Sequence, residues 1–236
     1  MMSIKQLVLS NYSIFFRRDT MLKKAFFIVC GVLIVGSLSA SAQSSFPMGL
    51  GPFLAAKAGV NTAEIINGTK TGMTFNSPPD FGATFYFPFS KHSTVAATID
   101  LGYYTASILT KPESGATDAT TVISSAHFFS IAPSFNFSSF MLGLNFGLPM
   151  SANVSNKSGS ISIDPGTDDV ATLIEIRLGG MIPIYQNETG RLNFTVTGAY
   201  ALTGLSKSDK SDYNPKAASL SMGLNYLFTL KSGSGE

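Results

Sequence analysis

Few residues in this chain could do chemistry, and their spacing narrows the choices. The histidines are His92 and His127. His92 follows Lys91 in a short polar stretch, where a solvated turn residue is the simplest account. His127 comes just after Ser124 and Ser125, so a hydroxyl nucleophile with an imidazole base can be written down. One histidine beside two serines is a common coincidence, and no enzyme is expected. Asp164, Asp168 and Asp169 share a glycine-containing segment that could approach a calcium ion, but their spacing is not that of an EF-hand loop. Solvated acidic residues are the simpler account, so no metal and no cofactor is expected. The remaining candidates are Lys57, Asp100, Glu175, Arg177 and Arg191. All five stand inside strongly patterned segments, so what they can do depends on which way those segments turn them.

The 236 residues are 44% hydrophobic and only 13% charged, against about 25% charged for an ordinary soluble domain. That composition argues against disorder, a coiled coil or a highly charged nucleic-acid binder. Five of the 16 basic residues fall in the first 24 positions against one of the 14 acidic ones, so the rest carries a net charge of −2. No nucleic-acid partner is therefore expected. The basic start has its own explanation. Lys23-Lys24, an apolar run of twelve from Ala25 to Gly36, and Ala40-Ser41-Ala42 have the order of a signal peptide, with Met21 as its start and cleavage after Ala42. Residues 1–42 are then extension and leader, and 43–236 form one domain. A membrane-spanning helix needs about 20 apolar residues, more than this run offers. Cys30, the only cysteine, follows Phe27-Ile28-Val29, a poor lipoprotein box, and leaves with the leader. Disulfides and thiol chemistry are excluded from what remains.

That domain shows period-two alternation in eight stretches: 52–60, 81–89, 94–104, 127–137, 140–149, 170–182, 191–202 and 218–230. One face carries large apolar residues, as in Phe81, Phe85, Phe87 and Phe89, or Leu142, Leu144, Phe146 and Leu148. The other carries Gly, Ala, Ser, Thr and Asn with few charges. A soluble barrel would show water a face of Lys and Glu. Small polar residues instead suit the crowded inside of a small barrel, which sends Phe, Leu, Ile and Val out to lipid. Backbone groups in hydrocarbon must all be paired internally, and a closed antiparallel barrel does this. The expected fold is all-β: an eight-stranded antiparallel up-and-down transmembrane β-barrel.

Connection lengths alternate as that fold requires. Residues 90–93, 138–139 and 183–190 are short; 61–80, 105–126, 150–169 and 203–217 are long and polar, which places both termini in the periplasm. Phe87, Phe89, Phe135, Phe137, Phe140, Tyr226 and Phe228 would form a periplasmic girdle, and Tyr103, Phe129 and Tyr200 a sparser outer one.

On this topology and spacing, residues 49–230 resemble the small outer-membrane barrels of the OmpA-transmembrane and OmpX type, and PorT-like barrels. The resemblance implies the bacterial outer membrane as location, insertion by the barrel-assembly machinery, contact with lipid and lipopolysaccharide, and function in exposed loops that meet envelope or surface proteins. Such barrels often end on an aromatic residue, a role open here to Phe228.

Eight strands enclose a lumen that side chains roughly fill. Strand parity turns Lys57, Asp100, Glu175, Arg177 and Arg191 inward. Asp100 and Glu175 lie at depths that Lys57 and Arg177 could reach across it, so a charge-paired plug is expected, with a structural or surface-interaction role. The alternative is a narrow pore for ions or small solutes.

Overall fold

A computed structural model describes residues 47–63, 68–89, 94–207 and 214–230. The expected leader, His92 and the residues beyond Leu230 lie outside the described residues. Within them, the alternating stretches become eight long strands: β1 (Gly49–Asn61), β2 (Asp80–Pro88), β3 (Val95–Pro112), β4 (Val122–Phe137), β5 (Phe140–Asn156), β6 (Leu173–Gln186), β7 (Gly190–Ala201) and β8 (Ala217–Thr229). Each pairs antiparallel with the next, and β8 returns to pair with β1 from Gly49↔Thr229 to Asn61↔Ala217. The sheet is therefore a closed, up-and-down, eight-stranded barrel, as the alternation implies.

Register fixes its geometry. Following paired residues once around the ring leads from Gly49 to Tyr86, Thr98, Ser134, Gly143, Arg177, Ala199 and Ser219, and back to β1 at Gly59, ten residues above the start. A stagger of that size on eight strands tilts them about 40° from the axis. Every residue on this path faces inward, and most are small. At the inward pair Gly82↔Gly102 a Cβ on either residue would run into the opposite backbone, so these two strands approach as closely as they do only without side chains.

The outer face is apolar along every strand. Leu54, Phe81, Phe129, Phe135, Leu142, Phe146, Ile176, Leu224 and Phe228 are all exposed, an arrangement that water penalises and hydrocarbon accepts. Aromatic pairs mark both margins. Phe89–Phe135, Phe135–Phe137 and Tyr226–Phe228 have ring centroids 4.8 to 5.2 Å apart at the end bearing the termini. Phe81–Tyr103 stack at 5.2 Å toward the other. Phe75, paired opposite Ala58 and exposed, joins this outer margin from within the first long connection.

Several boundaries differ from expectation. β3 runs to Pro112 instead of 104, β4 starts at Val122 instead of 127, and β5 reaches Asn156 instead of 149. These extensions read TASILTKP, VISSA and MSANVSN. Their large-apolar alternation fades because they leave the lipid belt, while β-branched residues keep them extended. Thr69–Gly72 adds to β3 and Ser162–Ile163 to β5, so a small sheet projects beyond the belt where long loops were expected. On the opposite side, the expected turn 183–190 shrinks to 187–189. β6 continues through Pro183 because the register shift between Leu192 and Asn193 leaves Ile184 as an extra residue, and a bulge tolerates proline. Ser138, at φ 56°, makes the two-residue turn from Phe137 to Phe140, where a positive φ matches the twist of the hairpin.

The belt predicts its own perturbation. Leu144 and Ile176 are direct neighbours across β5–β6 and are 40% and 43% exposed. Arginine at either position should destabilise the barrel refolded in lipid vesicles by about 2 to 4 kcal/mol in a denaturant titration. Arginine at Ser158, an exposed residue beyond the belt, should change it by less than about 0.5 kcal/mol.

Candidate functional site

The lumen is filled in layers, and the strand pleat builds each one by turning alternate residues inward. At the end bearing the termini, Tyr86, Ala96, Met181 and Leu227 form a buried apolar cluster. The Arg191 guanidinium lies over the Tyr86 ring, 4.8 Å from its centroid, an attraction between the cation and the electron-rich face. Polar ladders come next. Asn136 donates to Thr98 at 3.1 Å, and Asn193 donates to Asn225, its partner across β7–β8, at 3.1 Å.

Above them sit the ionic groups. Arg177 donates to Asp100 Oδ2 at 3.1 Å while Thr84 donates to Oδ1 at 2.6 Å. Higher still, Lys57 donates to both Asp80 oxygens, at 3.0 and 2.7 Å, and its ammonium rests 3.0 Å from the centroid of the Tyr104 ring. Lys57 is 2% exposed and Asp80 is also buried. Glu175, 1% exposed, accepts from Asn145 Nδ2 at 2.8 Å, and Ser130 donates to the same amide's oxygen. Lys57, Tyr104 and Glu175 border one small internal space. Direct contacts thus tie β1, β2, β3 and β6 through Lys57, Asp80, Thr84, Asp100 and Arg177, and β4, β5 and β6 through Ser130, Asn145 and Glu175. A cavity of about 50 Å³, room for a few waters, lies among Asp80, Asp100, Tyr104, Met141, Arg177 and Asn225.

The outermost layer is apolar again. Phe128 and Leu173 are completely buried, packed with Tyr104, Ala106, Ile108, Ala126 and Ala152 from the walls. Val170 and Leu205 come in from the connections, held by a bridge between Val170 and Ser206. The loops thus close over the barrel with side chains of their own.

The five charges picked out by strand parity all lie on inward positions; Lys57, Asp100, Glu175 and Arg177 lie near one another in the lumen, but their direct contacts differ from those expected. Arg177 meets Asp100. Lys57 instead takes Asp80, a residue assigned to a long connection, because β2 begins one residue earlier than its phenylalanine alternation shows. Glu175 takes its direct hydrogen bond from Asn145, while Arg177 follows two residues on along the same inward face and Lys57 borders the same small space. Arg191 sits in the opposite layer with Tyr86. The inward parity of Asp80 was readable from Gly82, Thr84 and Tyr86. Phe128 and Tyr104 were the other available signal, as large rings on faces otherwise made of small residues.

The alternatives outside the lumen are placed elsewhere. His127 stacks on Tyr103, with ring centroids 5.6 Å apart, and its Nδ1 lies 3.4 Å from Thr105 Oγ1, while Ser125 pairs with Ser107 at 2.8 Å. Asp164 accepts from Asn153 at 2.8 Å, and Asp168 and Asp169 belong to a 3₁₀ turn at Thr167–Asp169. Among the described residues, no three His, Cys, Asp or Glu side chains converge on a metal-sized site.

A closed antiparallel ring with an apolar belt outside and a packed interior defines a transmembrane β-barrel, of the kind that bacterial outer membranes hold. Three solved structures of such barrels are similar to this chain. Ail of Yersinia pestis, solved in complex with the heparin analogue sucrose octasulfate, is 13% identical, with 78% of this chain and 100% of that one covered and a TM-score of 0.34. OprG from Pseudomonas aeruginosa is 10% identical over 80% and 99%, with a TM-score of 0.36. AlkL, solved in DMPC lipid bilayers, is 12% identical over 83% and 96%, with a TM-score of 0.37. No family model and no curated protein matches the chain.

The buried ion pair yields a prediction. Asp80→Ala leaves Lys57 charged and enclosed, so unfolding in lipid should become easier by about 3 to 5 kcal/mol. Lys57→Met combined with Asp80→Asn removes both charges and keeps the volume, and should recover most of that loss in the same denaturant titration.

Proposed function

We propose that this chain is a non-enzymatic outer-membrane barrel with a closed lumen, and that its work is done by the strands and connections projecting beyond the lipid. The observation that carries this reading is the pair of apolar layers bracketing the lumen. The cluster around Phe128 and Leu173 closes one end, and that around Tyr86 and Leu227 the other. An ion crossing the Phe128–Leu173 layer would have to leave its hydration shell among hydrocarbon groups, which costs several kcal/mol or more, and a cation crossing the other would also meet the buried Arg191 guanidinium. The projecting sheet of β3, β4, β5 and the short strands Thr69–Gly72 and Ser162–Ile163 then offers the broad accessible surface through which envelope or surface proteins, or lipopolysaccharide, would be met. Insertion of such a barrel falls to the barrel-assembly machinery.

A narrow pore is the second reading. What favours it is the cavity of about 50 Å³ lined by Asp100 and Arg177, a charged chamber of the sort a conducting path would use.

Planar-bilayer recordings of the refolded barrel separate the two. The parent should be electrically silent. Phe128→Ala together with Leu173→Ala empties the outer apolar layer and should produce discrete openings. Steady conductance in the parent would overturn the closed-lumen reading and establish the pore.

A further inference from the structure

Beside β3 the backbone ladder of the barrel wall lapses. β2 pairs with β1 up to Ala55↔Asp80 and with β3 up to Phe81↔Tyr103. Beyond that point the first long connection resumes pairing only at Ala58↔Phe75 on β1 and Gly72↔Leu109 on β3. On that side β3 has no ladder partner from Tyr104 to Ile108, and β1 has none at Ala56 and Lys57. Thr105 faces this gap and is completely buried, so its peptide groups would otherwise be left unpaired where no water reaches them.

At Thr105 side chains fill the gap. Asp80 Oδ1 accepts from the Thr105 backbone N–H at 2.9 Å. The Asn76 amide donates to the Thr105 carbonyl. The Asn76 backbone N–H, in turn, donates to the Lys57 carbonyl at 2.8 Å, and Thr105 Oγ1 donates to the Pro78 carbonyl at 3.3 Å. Thr105 lies on the outward parity of β3 and is nonetheless completely buried, as is nearly so for Ser107, while Asn76 is buried beside them. Behind the patch β1 and β3 come close, since a Cβ on Gly59 would meet the Ser107 carbonyl at 2.7 Å.

We propose that Asp80 and Asn76 act as a surrogate strand, a carboxylate and an amide that together present to Thr105 the acceptor and donor a neighbouring backbone would have offered, and so latch the wall shut between β1 and β3. Asp80 then has a second role separable from its ion pair. One oxygen serves the wall while both hold Lys57, and the wall needs only the acceptor, not the charge. This holds whether or not the lumen conducts.

The test compares two neutral double variants of the full barrel in lipid, read by amide hydrogen exchange at Thr105 and, as an internal reference, at Leu101 in the regular part of the same strand. Lys57→Met with Asp80→Asn retains an oxygen toward Thr105; Lys57→Met with Asp80→Ala does not. Thr105 should stay protected in the first and exchange at least about tenfold faster in the second, the effect of losing one hydrogen bond of about 1.4 kcal/mol, with Leu101 unchanged in both. Asn76→Ala, in the otherwise native chain, should also speed Thr105 selectively. Equal protection of Thr105 in the two double variants, or acceleration at Leu101 matching that at Thr105, would overturn the latch. If the alanine double variant fails to insert, Asn76→Ala decides alone: selective loss at Thr105 supports the latch, and unchanged protection rejects it.

Discussion

In hydrocarbon no solvent competes for a peptide group, so every N–H and C=O must find its partner within the chain. The pairing of β8 with β1 supplies the last set and leaves the ring without an edge. The stagger of ten residues around that ring follows from the registers of all eight pairings. Together with strand number it sets the width of the lumen. That width admits side chains and little else. The preference for Gly, Ser, Thr and Asn on inward positions is therefore a volume constraint before it is a polarity preference. Facing glycines such as Gly82 and Gly102 mark where the constraint is tightest.

The same constraint explains why the interior is stratified. Where the lumen is lined by small residues, hydrogen-bonding side chains complete one another across neighbouring strands, as Asn145 does between Ser130 and Glu175. Where a large ring intrudes, it displaces water and seals. Tyr104 does both, with its ring in the outer apolar cluster and also beneath the Lys57 ammonium. Apolar layers on both sides keep water from the charged groups, which raises the energetic weight of each pairing and the penalty of breaking it.

Much of the architecture was legible because lipid imposes a strict pattern. An outward residue in the belt must be apolar, so period two survives over eight strands, and with it the faces, the order and the inward direction of Lys57, Asp100, Glu175, Arg177 and Arg191. What was not legible lies where lipid stops imposing that pattern. The projecting ends of β3, β4 and β5 meet water, and their alternation no longer distinguishes strand from loop. Pairing inside the lumen was hidden for a different reason. Parity gives direction, but which cation meets which carboxylate depends on stagger and depth, and a boundary error of one residue at Asp80 redirected Lys57 altogether. The apolar layers were hidden because Val170 and Leu205 reach them from connections that carry no period.

The polar network can be ordered by necessity, starting from the lapse in the ladder beside β3. Thr105, left without a neighbouring strand and completely buried, needs both an acceptor and a donor. The acceptor is a side-chain oxygen of Asp80, which stands one residue before the alternating stretch that would have carried the ladder on. A buried carboxylate then needs a counter-charge, which Lys57 on the adjoining strand supplies with two donors. A third valence of that ammonium faces the Tyr104 ring, and Glu175, bordering the same small space, is held by Asn145 and, through it, Ser130. Each step satisfies the group exposed by the one before. The wall's irregularity and the lumen's charge are thus two ends of one arrangement, with Asp80 as the residue common to both.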